Sequence, residues 1–112
     1  WDKVLGLNLL SEEFYRHETR SYLPRIRTYG LPLDSREDYT KSDWILWTAA
    51  MTDEQEVFDA LIAPVAKYLR ETPSRVPFSD WYFTTKGNYR AFIARSVQGG
   101  LFMPLLAEKW KK

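Results

Sequence analysis

Apolar residues recur along this chain at helical spacing, in blocks separated by polar caps and prolines. Ser11 followed by Glu12 and Glu13 predicts a helix start: a hydroxyl can accept from a free backbone N–H, and two acids meet the positive end of the helix dipole. That helix is expected from Glu12 to about Leu23 or Ile26, where Pro24 forces a kink or a stop. Upstream, Trp1 to Leu10 reads as the tail of an earlier helix weakened by Gly6, and Tyr29-Gly30-Leu31-Pro32 reads as loop. A second helix is expected to begin at Thr40 and Asp43, which have the spacing of a capping-box variant, and to run through Met51. On it Trp44, Trp47, Thr48 and Met51 fall at i, i+3, i+4 and i+7, a single face whose simpler reading is core packing.

Thr52 with Gln55 forms a further capping box, and the helix after it carries the stripe Phe58, Leu61, Ile62, Val65, Ala66 and Leu69. Pro64 should bend this helix without destroying it, and Thr72-Pro73 should close it. From Ser74 to Phe92 no helical period is visible; the β-prone group Trp81 to Thr85 predicts a long loop holding a short hairpin that turns at Lys86-Gly87. A last helix is expected from about Ser96 to Trp110, with Gly99-Gly100 allowing close backbone approach and Pro104 a bend. Paired helices joined by polar loops, with no convincing sheet, imply an all-α architecture of helical hairpins.

Composition changes the picture in one respect. The 112 residues allow a single small core, yet they include five Trp, seven Tyr and six Phe, more aromatic surface than a few short helices cover. The chain is therefore expected to be a piece of a longer polypeptide, with apolar surface that faces the rest of that polypeptide or drives self-association. Sixteen Lys and Arg against fifteen Asp and Glu, interspersed, argue against nucleic acid as the main partner. Lys109, Lys111 and Lys112 read as a solvated helix end. Cysteine is absent, which excludes disulfides and thiolate metal sites. No apolar stretch approaches the roughly 20 residues that span a bilayer. No phosphate-binding glycine loop or Gly-x-Ser-x-Gly elbow occurs, and the single His17, set among charged residues, reads as solvated helix face. No cofactor or metal is expected.

Chemistry concentrates in the run from Leu33 to Trp44. Asp34 and Asp43 are candidates for acid and base work, since two carboxyls can divide that labour when their environments separate their pKa values. The alternatives are an Asx turn for Asp34 and a helix-start role for Asp43. Arg36 and Lys41 could hold a substrate carboxylate, or pair on the surface with Glu37 or Asp38; Tyr39 could donate to substrate or cover the helix start. Trp44 could give a stacking wall, and Asp80, Trp81 and Arg95 could rim the same pocket, which would suit a small polar substrate.

Three segments carry a resemblance: Trp1-Asp2-Lys3, the run from Tyr29 through Arg36 and on from Tyr39 to Trp44, and Ala94-Arg95-Ser96-Val97-Gln98-Gly99-Gly100 with Phe102. Together they resemble the C-terminal part of the glutaminase A family, over essentially the whole chain. The resemblance implies an α/α toroid of six helical hairpins, of which residues 1–112 supply the last helices and upstream protein the remainder. It also implies a secreted or cell-envelope location, and hydrolysis of L-glutamine to glutamate and ammonia, with glycoside hydrolysis the alternative chemistry. A further acid is implied after the Trp81-Tyr82 pair, where this chain has Phe83; a lost carboxylate changes what a pocket can hydrogen-bond and favours a third reading, a binding or structural module.

Overall fold

The computed structural model describes residues 1–110, so Lys111 and Lys112 of the basic tail lie outside the described residues. Among the described residues five helices occur in the order α1 (Asp2–Leu5), α2 (Glu12–Ser21), α3 (Ser42–Ala49), α4 (Gln55–Glu71) and α5 (Met103–Trp110). Two short strands, β1 (Tyr39–Lys41) and β2 (Trp81–Phe83), make the chain mostly helical rather than all-helical. Turns of 3-10 helix at Leu23–Arg25 and Ser96–Phe102 complete it.

Local chemistry explains most of these boundaries. Ser11 Oγ accepts from the Phe14 amide at 3.1 Å, with Glu12 and Glu13 in the first turn, and Pro24 falls inside the 3-10 turn that follows α2. Helix α1 is a single turn ended by Gly6 in the left-handed conformation, φ 64°. Neither expected capping box forms. Lys41 precedes α3 without a side-chain cap because Thr40 is committed to β1, and Thr52 Oγ1 accepts from the Glu54 amide at 3.1 Å, ahead of a helix that starts only at Gln55. Helix α4 runs unbroken through Pro64. The expected last helix divides in two, a 3-10 turn to Phe102 and then α5, with Pro104 in its first turn where a missing N–H costs little.

The α3–α4 hairpin holds the core: Ile45, Leu46 and Ala49 meet Val57, Leu61 and Val65. On α4 the buried line also includes Tyr68, while Leu69 is half exposed, so the stripe is turned slightly from the one its sequence suggested. On α3 the buried line is Ile45, Leu46 and Ala49, and the core reading of the tryptophans is overturned: Trp44 and Trp47 are 47 % and 43 % exposed. Their indoles lie parallel on the surface, with centroids 6.5 Å apart and planes 12° apart.

The small sheet is antiparallel, pairing Tyr39 with Phe83, Thr40 with Tyr82 and Lys41 with Trp81. It is extended by Thr84 N to the Asp38 carbonyl (3.0 Å) and Tyr29 N to the Thr84 carbonyl (2.7 Å), and the Asp38 carboxylate accepts from Thr84 and Thr85. The expected turn at Lys86-Gly87 is present: Gly87 has φ 75°, its amide donates to Phe83 O, and Tyr82 bridges to Tyr89. Its strand finds its main partner in β1 instead. Tyr82, fully buried, anchors the sheet to α4 by stacking on Tyr68 (centroids 3.6 Å, planes 3° apart) and donates to the Tyr29 carbonyl at 2.7 Å.

Candidate functional site

The sheet delivers Asp80 to the start of α3, where its carbonyl accepts from the Ser42 amide at 2.8 Å. The Asp80 carboxylate, wholly buried, receives two hydrogen bonds from Arg95, Nε to Oδ1 at 3.1 Å and Nη2 to Oδ2 at 2.5 Å. Arg95 is 30 % exposed, rests over the Phe92 ring at 4.4 Å and is held more firmly protonated by its bonds to Asp80. The loop bringing it there contains Ala91 and Ala94 at φ 61° and 51°, a conformation that strains a residue with a Cβ and is kept only where the surroundings enforce it.

Asp43 stands beside this pair, 3 % exposed, and its Oδ1 has no hydrogen-bond partner among the described residues; nor does the buried Ser42 hydroxyl. Burial raises the Asp43 carboxyl above the usual carboxylate range, and the Asp80 charge adds to the shift, while Lys41 and two backbone amides oppose it weakly. The 3-10 turn closes over it: a Cβ on Gly100 would lie 2.6 Å from Trp47 Nε1 and 3.0 Å from Asp43 Cβ.

Tyr39, Lys41 and Trp81 gather on one face of the sheet. Tyr39 meets Trp81 edge-on at 5.4 Å, Lys41 Nζ sits 5.2 Å and 5.4 Å from the Trp81 and Trp44 rings, and the Arg90 guanidinium lies 4.7 Å from Tyr39 and 4.9 Å from Trp81. Trp81 also stacks on Phe92, and its buried indole N–H has no acceptor among the described residues. Of the expected acids, then, Asp43 and Asp80 share one environment with Arg95.

Asp34 and Arg36 lie elsewhere. Asp34 forms the Asx turn, accepting from the Arg36 amide at 2.8 Å, and its carboxylate pairs with the exposed Arg36 side chain, not with a second acid. Arg36 hydrogen-bonding holds Asp34 below the usual carboxylate range. Asp34 lines a groove of about 680 Å³ with Trp44 and Thr48 of α3. Asp43 and Trp47 occupy the neighbouring face of that helix, so the polar run feeds two adjacent surfaces. His17 is exposed on α2, as its charged neighbours suggested.

Sequence reasoning passed over Arg90, Phe92 and the structural role of Tyr82. The one available signal was the aromatic density of 78–92, which marks a packed rather than disordered loop. Among the described residues no group of His, Asp and Glu is placed to hold a metal ion, and no helix is long and apolar enough to cross a membrane.

Residues 1–105 match the glutaminase A six helical-hairpin domain. The chain is 44 % identical over 108 residues to Glutaminase A of Aspergillus oryzae, covering 94 % of this chain and 16 % of that protein. It is 39 % identical over 98 residues to a probable glutaminase of Arthroderma benhamiae, covering 85 % of this chain and 11 % of the relative. The chain thus spans less than a fifth of the length of these curated relatives. No solved structure matches it. The chain belongs to the glutaminase A six helical-hairpin family.

Proposed function

We propose that this segment forms one wall of the active site of a glutaminase-type hydrolase, completed by other helical hairpins of the same polypeptide. The observation that carries the reading is Asp43: a buried carboxyl with a free Oδ1, its pKa raised, next to a partly exposed arginine fixed by a buried carboxylate. Amide hydrolysis needs water to attack the carbonyl carbon, a cation near the oxygen that gains charge, and a proton for the departing nitrogen. Asp43, whose burial favours the protonated form, suits the last task. Arg95, whose Nη1 has no assigned acceptor among the described residues, suits the second. Asp34, engaged by Arg36 on the adjacent surface, is given no step beside Asp43, and the group that orients the water is assigned to the hairpins that complete the site. Tyr39, Lys41, Trp81 and Trp44 are proposed to shape the pocket, and Asp80 to hold Arg95 in place.

The exposed apolar side chains near both ends of the segment, Trp1, Leu9, Phe102, Leu105 and Trp110 among them, support the view that other hairpins pack there. The test is ammonia release from L-glutamine by the full-length protein. Asp43→Asn should lower kcat by roughly 100-fold or more, and Arg95→Gln by a comparable factor. Wild-type turnover in Asp43→Asn would rule the assignment out. One observation favours a second reading, glycoside hydrolysis: the parallel, exposed Trp44 and Trp47 rings offer a flat apolar surface of the kind a sugar ring covers. Turnover of an oligosaccharide panel, with none of glutamine, would select it.

A further inference from the structure

We propose that the groove beside α3 is a binding site for a carboxylate-bearing ligand with a flat or apolar body, recognised by Arg25 and Arg27. Both side chains line the groove, and neither has an ion-pair or hydrogen-bond partner among the described residues. This sets them apart from Arg16, Arg20, Arg36, Arg90 and Arg95, each of which is matched to an acid. Among the described residues the one carboxylate lining the groove, Asp34, is already paired with Arg36, so the two guanidiniums leave an uncompensated positive charge there. The exposed Trp44 also lines the groove, and Leu31, Leu33 and Ile45 supply apolar lining.

Backbone structure holds this arrangement. Arg25 ends a 3-10 turn that begins with Pro24 at its second position, and the Arg27 amide donates to the Gly30 carbonyl at 2.9 Å, so the two arginines leave the chain from fixed turns. Gly30 is held against Tyr82 and Ile45, where a Cβ would meet Tyr82 Oη at 2.9 Å and Ile45 Cδ1 at 3.1 Å. Guanidinium groups match carboxylates in shape and charge, and an indole face takes a planar or apolar body beside them. The volume, about 680 Å³, lies within the roughly 300–1,000 Å³ of sites that hold ligands larger than one amino acid. An amino-acid or peptide carboxylate and the carboxylate of an acidic sugar share this chemistry.

Binding is tested apart from turnover, so that failure here leaves the assignment of Asp43 untouched. Glutarate and galacturonate, with glutaramide and galactose as their uncharged counterparts, are titrated calorimetrically into the full-length protein and into R25Q/R27Q and R70Q/R75Q. The second pair removes two other exposed arginines, Arg70 in the last turn of α4 and Arg75 beyond it, neither of which lines the groove. The expected result is that one or both acids bind to wild type, that R25Q/R27Q weakens this roughly 10- to 100-fold, and that R70Q/R75Q and the neutral probes show no such effect. Which acid binds identifies the source of the carboxylate. No binding of either acid to wild type, an equal loss in R70Q/R75Q, or equal binding of the neutral probes overturns the proposal. Unchanged thermal melting of R25Q/R27Q confirms that a loss of binding is not a loss of fold.

Discussion

The Asp80–Arg95 pair predicts an asymmetry that can be worked from burial alone. Asp80 has no exposed surface, whereas the Arg95 side chain keeps 30 % of its own. Arg95→Leu leaves an ionised carboxylate inside the protein without a counter-charge, and breaking a buried pair in this way costs about 3–5 kcal/mol; access of water from the arginine side places the expectation near 3 kcal/mol. Asp80→Asn leaves a guanidinium that can turn outward, while the amide oxygen retains one acceptor. Its cost is that of weakened charge-assisted hydrogen bonds, about 1.5 kcal/mol. The arginine variant should therefore be the worse by about 1.5 kcal/mol, slightly more than tenfold in an opening equilibrium. With neither charge present, the double variant should cost clearly less than the sum of the two single changes. Hydrogen exchange at the Ser42 and Ala94 amides reports this locally in the full-length protein, because they bond to the Asp80 and Phe78 carbonyls. Additive effects, or an Asp80→Asn cost equal to that of Arg95→Leu, would falsify the claim that Asp80 depends on Arg95 as its counter-charge.

Asp43 predicts a pH dependence of stability. Its folded pKa is raised, so its contribution is fully present below the unfolded value near 3.9 and is lost as pH rises through the folded one. Asp43→Asn cannot ionise, and its stability relative to wild type should improve between about pH 4 and pH 7; denaturant melts at the two pH values giving a constant or opposite difference would reject this. Gly100→Ala sets a Cβ 2.6 Å from Trp47 Nε1 and should destabilise by about 1–3 kcal/mol while shifting tryptophan emission; a variant with wild-type melting and emission would show that the 3-10 turn does not press on α3.

How much of this was legible in the sequence differs from element to element for physical reasons. Helix α2 was legible because Ser11, two acids and Pro24 act within a few residues of one another. The existence of α4 was equally plain, but its buried line was not: apolar residues occupy both flanks of the stripe, and the positions of α3 and of the sheet decide that Val57 and Tyr68 go inward and Leu69 outward. On α3 periodicity pointed the wrong way. A helix rich in apolar residues all round has no preferred face of its own, and small Ala49 packs closer to α4 than an indole can. Strands of three residues carry no usable period, so the pairing of 39–41 with 81–83 could not be read. Asp34 and Arg36 were singled out together and do meet, as an Asx turn and ion pair, because the contact is local. Asp80 and Arg95 were also singled out, but only as pocket residues; their union across a loop depends on the sheet.

That sheet is what turns a polar sequence run into a buried acid. Thr40 and Tyr82 face inward at the same rung, and a slip of one residue would bring Tyr39 or Lys41 into a space that Thr40 fills with no room to spare. The rung is set from one side by the stack of Tyr82 on Tyr68, and from the other by Gly30, which leaves room for the Tyr82 hydroxyl to reach the Tyr29 carbonyl. With the register fixed, the Asp80 carbonyl meets the Ser42 amide, the Asp80 carboxylate is carried inside, and Asp43 is left beside it with no donor to Oδ1 among the described residues. The acidity of Asp43 is therefore set first by its burial beneath the 3-10 turn and then by Asp80, whose own position depends on residues remote from Asp43. Gly30 and Tyr82 set the ladder, the ladder sets Asp80, and Asp80 with burial sets the carboxyl.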